Sequence, residues 1–245
     1  MKKTAIIVAG GKGLRMGGDL PKQFIPLKGK PVLMHTLEAF YLWNVAVDLV
    51  LVLPEIHISY WQMLCKELNF SIPHHIVKGG ETRFHSVHNA LNTPPLSPAS
   101  SSLEESLIAI HDGVRPFVTT DVISSCFEIA ERYGAAIPVI PMIESVREII
   151  NYEGEKGQRN ESWESRPFDR NRLCIVQTPQ VFREDILRSA YEQPYNACFT
   201  DDASVVEASG YSIHLIEGNR ENIKITTPMD LLYAQSILPL FSLNS

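Results

Sequence analysis

Apolar residues recur along this chain in two alternating rhythms. "AIIVA" (5–9) is short, β-branched and uninterrupted, which predicts a buried strand. "PVLMHTLEAFYLW" (31–43) then places apolar residues at helical spacing behind a proline, as a helix start allows. The alternation continues: strand "VDLVLVLP" (47–54), helix "ISYWQMLCKELNF" (58–70), strand "HHIVKGG" (74–80), helix "TRFHSVHNALN" (82–92) and strand "SLIAIHDG" (106–113). "TTDVISSCFEIAERYG" (119–134) predicts a helix with a Thr or Asp cap and Gly134 as its stop. A fifth strand, "AAIPVIP" (135–141), follows directly. Further on come a helical "REDILRSAYEQ", an acidic helix start in "TDDASVVEASG", a strand "YSIHLIEG" and a closing helix from Pro228. Strands alternating with helices predict an α/β fold: a mostly parallel twisted sheet with helices on both faces.

Two stretches break the rhythm. "TPPLSPASSSLEES" (93–106) is rich in Pro and Ser and reads as a surface loop without an assigned role. Residues 144–170 are polar with a short alternating front. They read equally as disorder or as a hairpin arm that leaves the body and pairs with another subunit. No internal repeat or second domain boundary is visible, so residues 1–245 are read as one domain with the arm inside it.

The glycine-rich stretch "VAGGKGLRMGGDLPKQF" (8–24) carries the first chemistry. Gly10, Gly11 and Gly13 let the backbone turn sharply after the first strand and approach a ligand closely. Lys12, Arg15 and Lys22 make that ligand an anion. A dinucleotide loop needs a third glycine where Met16 stands, and a P-loop needs Lys-Ser/Thr where Leu14 follows Gly13, so both are excluded. Glycine amides, one guanidinium and one ammonium suit a triphosphate instead. A tight turn with solvated cations remains the plain alternative for the loop taken alone.

Composition narrows the rest. A net charge of -6 argues against general nucleic-acid binding, and sets these cations against a negative background. Cys65, Cys126, Cys174 and Cys198 are widely spaced, which points to buried free thiols rather than a disulfide framework or metal site. His74, His75, His85 and His88 form no convincing ligand set. Lys2 and Lys3 precede too short an apolar run for a signal peptide, and Asn44 and Asp48 break the most apolar stretch. The expectation is a cytoplasmic protein without membrane or nucleic-acid partners.

Gly-Gly-x-Gly-x-Arg-Met followed by Pro-Lys-Gln-Phe resembles the signature of sugar-nucleotide-type nucleotidyltransferases. With "GKPVLMHTL", "GGETRFHSV", "HDGVRPFV", "TPQVF", "TDDASVVE" and "EGNRENIKITTPMDL" in order, nearly the whole chain resembles the 2-C-methyl-D-erythritol 4-phosphate cytidylyltransferase family. The resemblance implies a Rossmann-like nucleotidyltransferase fold, a dimerisation arm and transfer of CMP from CTP to a polyol phosphate with Mg²⁺. It implies that Arg15 and Lys22 stabilise charge at the α-phosphate. Gly11 and Gly13 would cover the phosphates, and Ala9, Gly10, Gly80 and Ser86 would line a cytosine pocket too small for purines. Asp112 would lie near the ribose and act as the metal-side carboxylate. Arg115, Ser145, Arg170, Thr178, Thr200 and Lys224 would surround the acceptor, Arg170 reaching a partner subunit in a homodimer.

Arg115 reads as readily as a structural ion pair, Arg83 as structural or pocket wall, and His111 as a packing or hydrogen-bonding residue. The chain departs from the family at Glu144-Ser145-Val146-Arg147, where Asp-Thr-Ile-Lys is usual, and at Val8-Ala9-Gly10-Gly11, where Pro-Ala-Ala-Gly is usual. A ribitol 5-phosphate cytidylyltransferase shares most of these motifs. A non-catalytic nucleotide-binding module is the reading from another class, and Arg15, Lys22 and Asp112 stand against it.

Overall fold

The computed structural model describes residues 1–10, 20–96, 106–150 and 163–241. Strand β1 (Lys2–Val8) leads through a 3-10 turn and a two-residue hairpin, β2 (Pro26–Leu27) with β3 (Lys30–Pro31), into helix α1 (Val32–Trp43). Then follow β4 (Asp48–Leu53), α2 (Glu55–Glu67), β5 (His75–Lys78), α3 (Arg83–Leu91), β6 (Ser106–Asp112), α4 (Thr120–Tyr133) and β7 (Ala135–Pro141). The arm contributes β8 (Val146–Ile149) and β9 (Ser165–Phe168). The chain closes with β10 (Cys174–Val176), β11 (Gln180–Arg183), α5 (Glu184–Tyr191), α6 (Asp202–Ala208), β12 (His214–Glu217) and α7 (Pro228–Phe241).

Strands β5, β4, β1 and β6 pair in that order, all parallel. Beyond β6 the sheet changes character. β11 runs antiparallel to both β6 and β7, β10 runs antiparallel to β7, and β12 pairs parallel with β7. Ala136 pairs with both Val181 and His214, and Val139 with both Val176 and Glu217. So β10 and β11 follow one another along one edge of β7, and β12 takes the other. The expected α/β sheet is present, mostly parallel, with two antiparallel strands inserted beside β7.

Period-two alternation explains the layers. Ala5, Ile7, Leu49, Leu51, Leu107 and Ala109 face one way and pack with Leu37 and Phe40 of α1, Trp61 of α2 and Phe127 of α4. Ile6, Val50, Val52, Ile108 and Ile110 face the other way and meet Val87 of α3, Leu187 of α5 and Val206 of α6. Both faces are covered, so the strands read as continuous apolar runs rather than alternating ones. Gly134 stops α4 as expected: its φ is +95° and its N–H donates to the Ala130 carbonyl. A smaller cluster of Leu27, Val32, Val114, Phe117, Ile225 and Ala234 fastens α7 and the first hairpin beneath the loop after β6.

The described part of the arm is a hairpin, Val146 opposite Phe168 and Ile149 opposite Ser165. Ile149, Ile150 and Trp163 on it are exposed. All four cysteines are free thiols, but only Cys126 is fully buried. Cys65 is half-buried, and Cys174 and Cys198 are exposed, which corrects the expectation of four buried thiols. No helix among the described residues is long and apolar enough to cross a membrane.

Candidate active site

Parallel strands bring their carboxyl ends to one edge, and in open α/β sheets that edge receives ligands. Here β1 ends at Val8-Ala9-Gly10, β5 runs on into Gly79-Gly80, and β6 ends on Asp112. The N-terminus of α3 starts beside them. Its cap is Thr82, whose hydroxyl accepts from the His85 N–H.

Asp112 is buried, yet its carboxylate is among the most strongly paired groups of the described chain. Arg83 Nη1 donates to Oδ1 at 2.6 Å, Lys224 Nζ lies 2.9 Å from Oδ2, and Arg115 Nε donates to Oδ2 at 3.2 Å. Burial alone would raise this carboxyl group. The three cations outweigh it and hold the group well below the usual carboxylate range. Asp112 is an anion at any working pH.

Each cation is anchored differently. Arg83 turns its Nε and Nη2 onto Asp202 Oδ2, at 3.1 and 2.6 Å, and Asp202 Oδ1 accepts the Tyr191 hydroxyl at 2.7 Å. Asp202 is fully buried at the start of α6. Burial disfavours the Arg83 charge, but Asp202 and Asp112 more than restore it and raise its pKa. Arg115 also donates Nη1 to the Asn222 carbonyl at 2.7 Å; burial lowers its pKa against the pull of Asp112. Lys224 is the most solvent-exposed of the three, at 43% of its side chain.

Behind Asp112 lies a polar chain. His111 is fully buried; its Nε2 is 3.0 Å from the Arg115 carbonyl and its Nδ1 is 2.9 Å from Thr178 Oγ1. The Asp112 N–H donates to the same Thr178 oxygen at 3.1 Å. Burial pulls the His111 pKa down to about 4, so the ring is neutral. This agrees with the expected hydrogen-bonding role and leaves no acid–base part for it.

In front of Asp112 is a cavity of about 230 Å³. Ala9, Gly10, Lys22, Gly80, Ser86, Asp112 and Lys224 line it, together with Gln23, Glu81 and Arg83. Gln23 fixes one wall by donating Nε2 to the Ala9 carbonyl at 3.0 Å. The Gly80 N–H donates to Ser86 Oγ at 3.1 Å. A Cβ on Gly80 would stand 2.4 Å from the Cβ of His85, so no larger residue fits without moving α3. Seven of the expected site residues therefore meet around one cavity. Arg115 and Thr178 stand behind it and touch Asp112 directly.

Other expected residues do not join them within one chain. Ser145 is exposed at the base of the arm. Arg170 is exposed and donates Nη1 to the Ile143 carbonyl. Thr200 is exposed just before α6, with its N–H on Ser204 Oγ at 3.0 Å. Gly11, Gly13 and Arg15, with Lys12, lie outside the described residues. The residue that sequence reasoning missed is Asp202. Its signal was the doubled aspartate in "TDDAS": Asp201 alone caps α6 by accepting from the Ser204 N–H, which leaves Asp202 for another task.

Fixed cations around one buried carboxylate, beside a small cavity, suit a small ligand that carries an anionic group. Among the described residues no group of three or more His, Cys, Asp or Glu side chains gathers to hold a metal ion.

Comparison with known proteins is specific. The sequence profile described as 2-C-methyl-D-erythritol 4-phosphate cytidylyltransferase matches residues 3–239. A protein of that name from Bacteroides thetaiotaomicron is 51% identical over 238 residues, covering 97% of this chain and 100% of that one. One from Bacteroides fragilis is 51% identical over 240 residues, with the same coverage. The crystal structure of 2-C-methyl-D-erythritol 4-phosphate cytidylyltransferase from Thermus thermophilus superposes with a TM-score of 0.69 at 29% identity, over 97% of this chain and 98% of that one.

Proposed function

Because the chain belongs to the 2-C-methyl-D-erythritol 4-phosphate cytidylyltransferase family, we propose that the cavity before Asp112 is where its reaction takes place. The chain is a nucleotidyltransferase. It transfers CMP from CTP to 2-C-methyl-D-erythritol 4-phosphate, giving 4-diphosphocytidyl-2-C-methyl-D-erythritol and pyrophosphate. An oxygen of the acceptor phosphate attacks the α-phosphorus of CTP in line. The new P–O bond forms as the bond to the bridging oxygen of the β-phosphate breaks, and pyrophosphate leaves with that electron pair. The attacking group is an ionised phosphate monoester, so no strong base is required. The protein's task is positioning and charge stabilisation.

The observation that carries the site assignment is the set of three cations on Asp112, of which Arg83 and Lys224 line, with Asp112, a cavity walled also by Gly10, Gly80 and Ser86. In this reading the cytosine lies against Ala9, Gly10, Gly80 and Ser86, which line the cavity. The triphosphate extends towards Lys22, with Gly11, Gly13 and Arg15 completing its cover. Arg15 and Lys22 stabilise the charge that develops at the α-phosphate.

Enzymes of this kind use a divalent cation, and we assign Mg²⁺ here. Mg²⁺ is commonly held by one or two carboxylates with substrate phosphates and water. Two carboxylate residues, Asp112 and Glu81, line the cavity, and Asp112 with a triphosphate beside it fits that habit. When bound, the ion would neutralise phosphate charge.

The acceptor side is built from Arg115, Thr178 and Lys224 of one chain and Ser145, Arg170 and Thr200. The last three are exposed, and the arm carries exposed Ile149, Ile150 and Trp163. Both facts support a homodimer in which the arm (residues 144–170 of a single 1–245 domain) completes the neighbour's site. The cytoplasm is the compartment we assign, because CTP is supplied there.

The test is pyrophosphate release from CTP with 2-C-methyl-D-erythritol 4-phosphate and with ribitol 5-phosphate in parallel. Turnover with the first and little with the second supports the reading. Preference for ribitol 5-phosphate, or equal use of ATP and CTP, overturns it.

A further inference from the structure

His111 touches two of the groups that fix Asp112, Thr178 and Arg115, and touches them from one ring. A carbonyl oxygen only accepts, so the 3.0 Å contact with the Arg115 carbonyl puts the imidazole proton on Nε2. In the neutral ring Nδ1 is then bare and takes the Thr178 O–H across 2.9 Å. With its proton turned to His111, the Thr178 oxygen offers a lone pair to the Asp112 N–H. Every donor in this chain meets an acceptor, and the tautomer follows from the partners alone. Arg115, whose carbonyl His111 holds, donates its Nε to the Asp112 carboxylate. One ring therefore steadies Asp112 along two routes, through the backbone at Thr178 and through the side chain at Arg115.

The surroundings leave the ring no other task. His111 alternates with Asp112 along β6, so it projects to the opposite face, where Phe40 meets it edge-on at 5.0 Å. It is fully buried and does not line the cavity. The Thr178 hydroxyl is likewise engaged twice, and its residue is buried. Its hydroxyl proton is thus not offered to a substrate.

We propose that His111 is a positioning residue of the cytidylyl transfer, which sets the Thr178 hydroxyl and the Arg115 turn so that Asp112 and its cations meet the nucleotide in register. This rests on the assignment of the cavity before Asp112 as the transfer site. Thr178 thus borders the acceptor side with its hydroxyl committed to His111 and to the Asp112 N–H.

The experiment compares His111→Asn, Thr178→Val, the double variant and Phe40→Leu, the last removing the ring's packing partner but none of its hydrogen bonds. Pyrophosphate release from CTP and 2-C-methyl-D-erythritol 4-phosphate gives kcat and KM, and a thermal melt reports folding. His111→Asn is expected to lower kcat by roughly ten- to a hundredfold, the scale of a small misplacement at a reacting centre, with KM for CTP little changed. Phe40→Leu is expected to keep kcat even where its melting point falls as far. The double variant should lose little more than the worse single one, because both changes break the same chain. Thr178→Ser, which keeps the hydroxyl, should restore activity.

A folded His111→Asn with wild-type kcat overturns the proposal. So does an equal kcat loss in Phe40→Leu at matched melting point, or losses that multiply in the double variant, since these would mean bulk stability or a direct Thr178–substrate contact. If His111→Asn does not fold, Thr178→Val alone decides: full activity in the folded variant overturns the proposal. An inactive wild type would overturn the site assignment and this proposal together, whereas an active wild type beside active variants overturns this proposal only.

Discussion

Replacing Asp202 by asparagine tests how the cavity wall is held. Asp202 is fully buried and gives one oxygen to two nitrogens of Arg83 and the other to the Tyr191 hydroxyl. Asparagine keeps the shape but carries no charge and has one acceptor oxygen, so the guanidinium loses its buried counter-charge and the Tyr191 hydroxyl, if it keeps a partner, must accept from the new amide instead of donating. Removing one member of a buried ion pair costs about 3–5 kcal/mol. Arg83 keeps Asp112, and its side chain is 26% exposed, so the low end applies, about 3 kcal/mol. In a chain of this length that is roughly 6–12 °C in melting temperature. Urea unfolding of the wild type, Asp202→Asn, Tyr191→Phe and the double variant measures it. The double-mutant cycle should show coupling of about 1 kcal/mol, because both groups share one carboxylate. CTP use should weaken as well, since Arg83 lines the cavity. A loss below about 0.5 kcal/mol, the range of an ordinary surface change, would refute the holding role.

Lys22→Ala should lower kcat by roughly a hundredfold or more while CTP affinity, read by calorimetry, changes far less, as expected for a transition-state contact. His35, His74 and His111 all sit below the ordinary histidine pKa, chiefly through burial. Below pH 6.5 the unfolded chain therefore binds protons that the folded chain refuses, and stability rises with pH in that range. For His111, held at about 4, moving from pH 7 to pH 5 should remove about 2 kcal/mol, seen as a lower urea midpoint. Lys22→Ala and Arg170→Ala subunits, mixed under exchange, should recover up to roughly a quarter of wild-type activity, since half the dimers are hetero and each has one intact site of two. No recovery, with exchange shown independently, would return Arg170 to its own subunit.

Periodicity read most of the scaffold from the sequence. Strands β1, β4, β5, β6 and β7 and the helices between them are continuous apolar or amphipathic runs with proline, threonine or glycine at their ends. β10 and β11 were illegible for a physical reason. They are three and four residues long, flank Thr178-Pro179, and owe their direction to β6 and β7, which no local pattern records. The site was legible in part. The glycine-rich stretch after β1 marked Gly10, and the family resemblance marked Gly80 and Asp112. The cations on Asp112 come from positions 83, 115 and 224, and only the folded sheet brings them together. Asp202 was hidden because an aspartate at a helix start reads as a cap.

The most direct test of the account is the product balance of the wild type against Asp112→Asn, with CTP and 2-C-methyl-D-erythritol 4-phosphate. The wild type should form 4-diphosphocytidyl-2-C-methyl-D-erythritol and pyrophosphate one for one, and release no pyrophosphate without the acceptor. Asp112→Asn should remain folded and lose roughly a hundredfold or more in kcat/KM, because its three cations lose their shared anion. Pyrophosphate released without acceptor, or an Asp112→Asn variant that turns over at the wild-type rate, would contradict the assignment of this cavity.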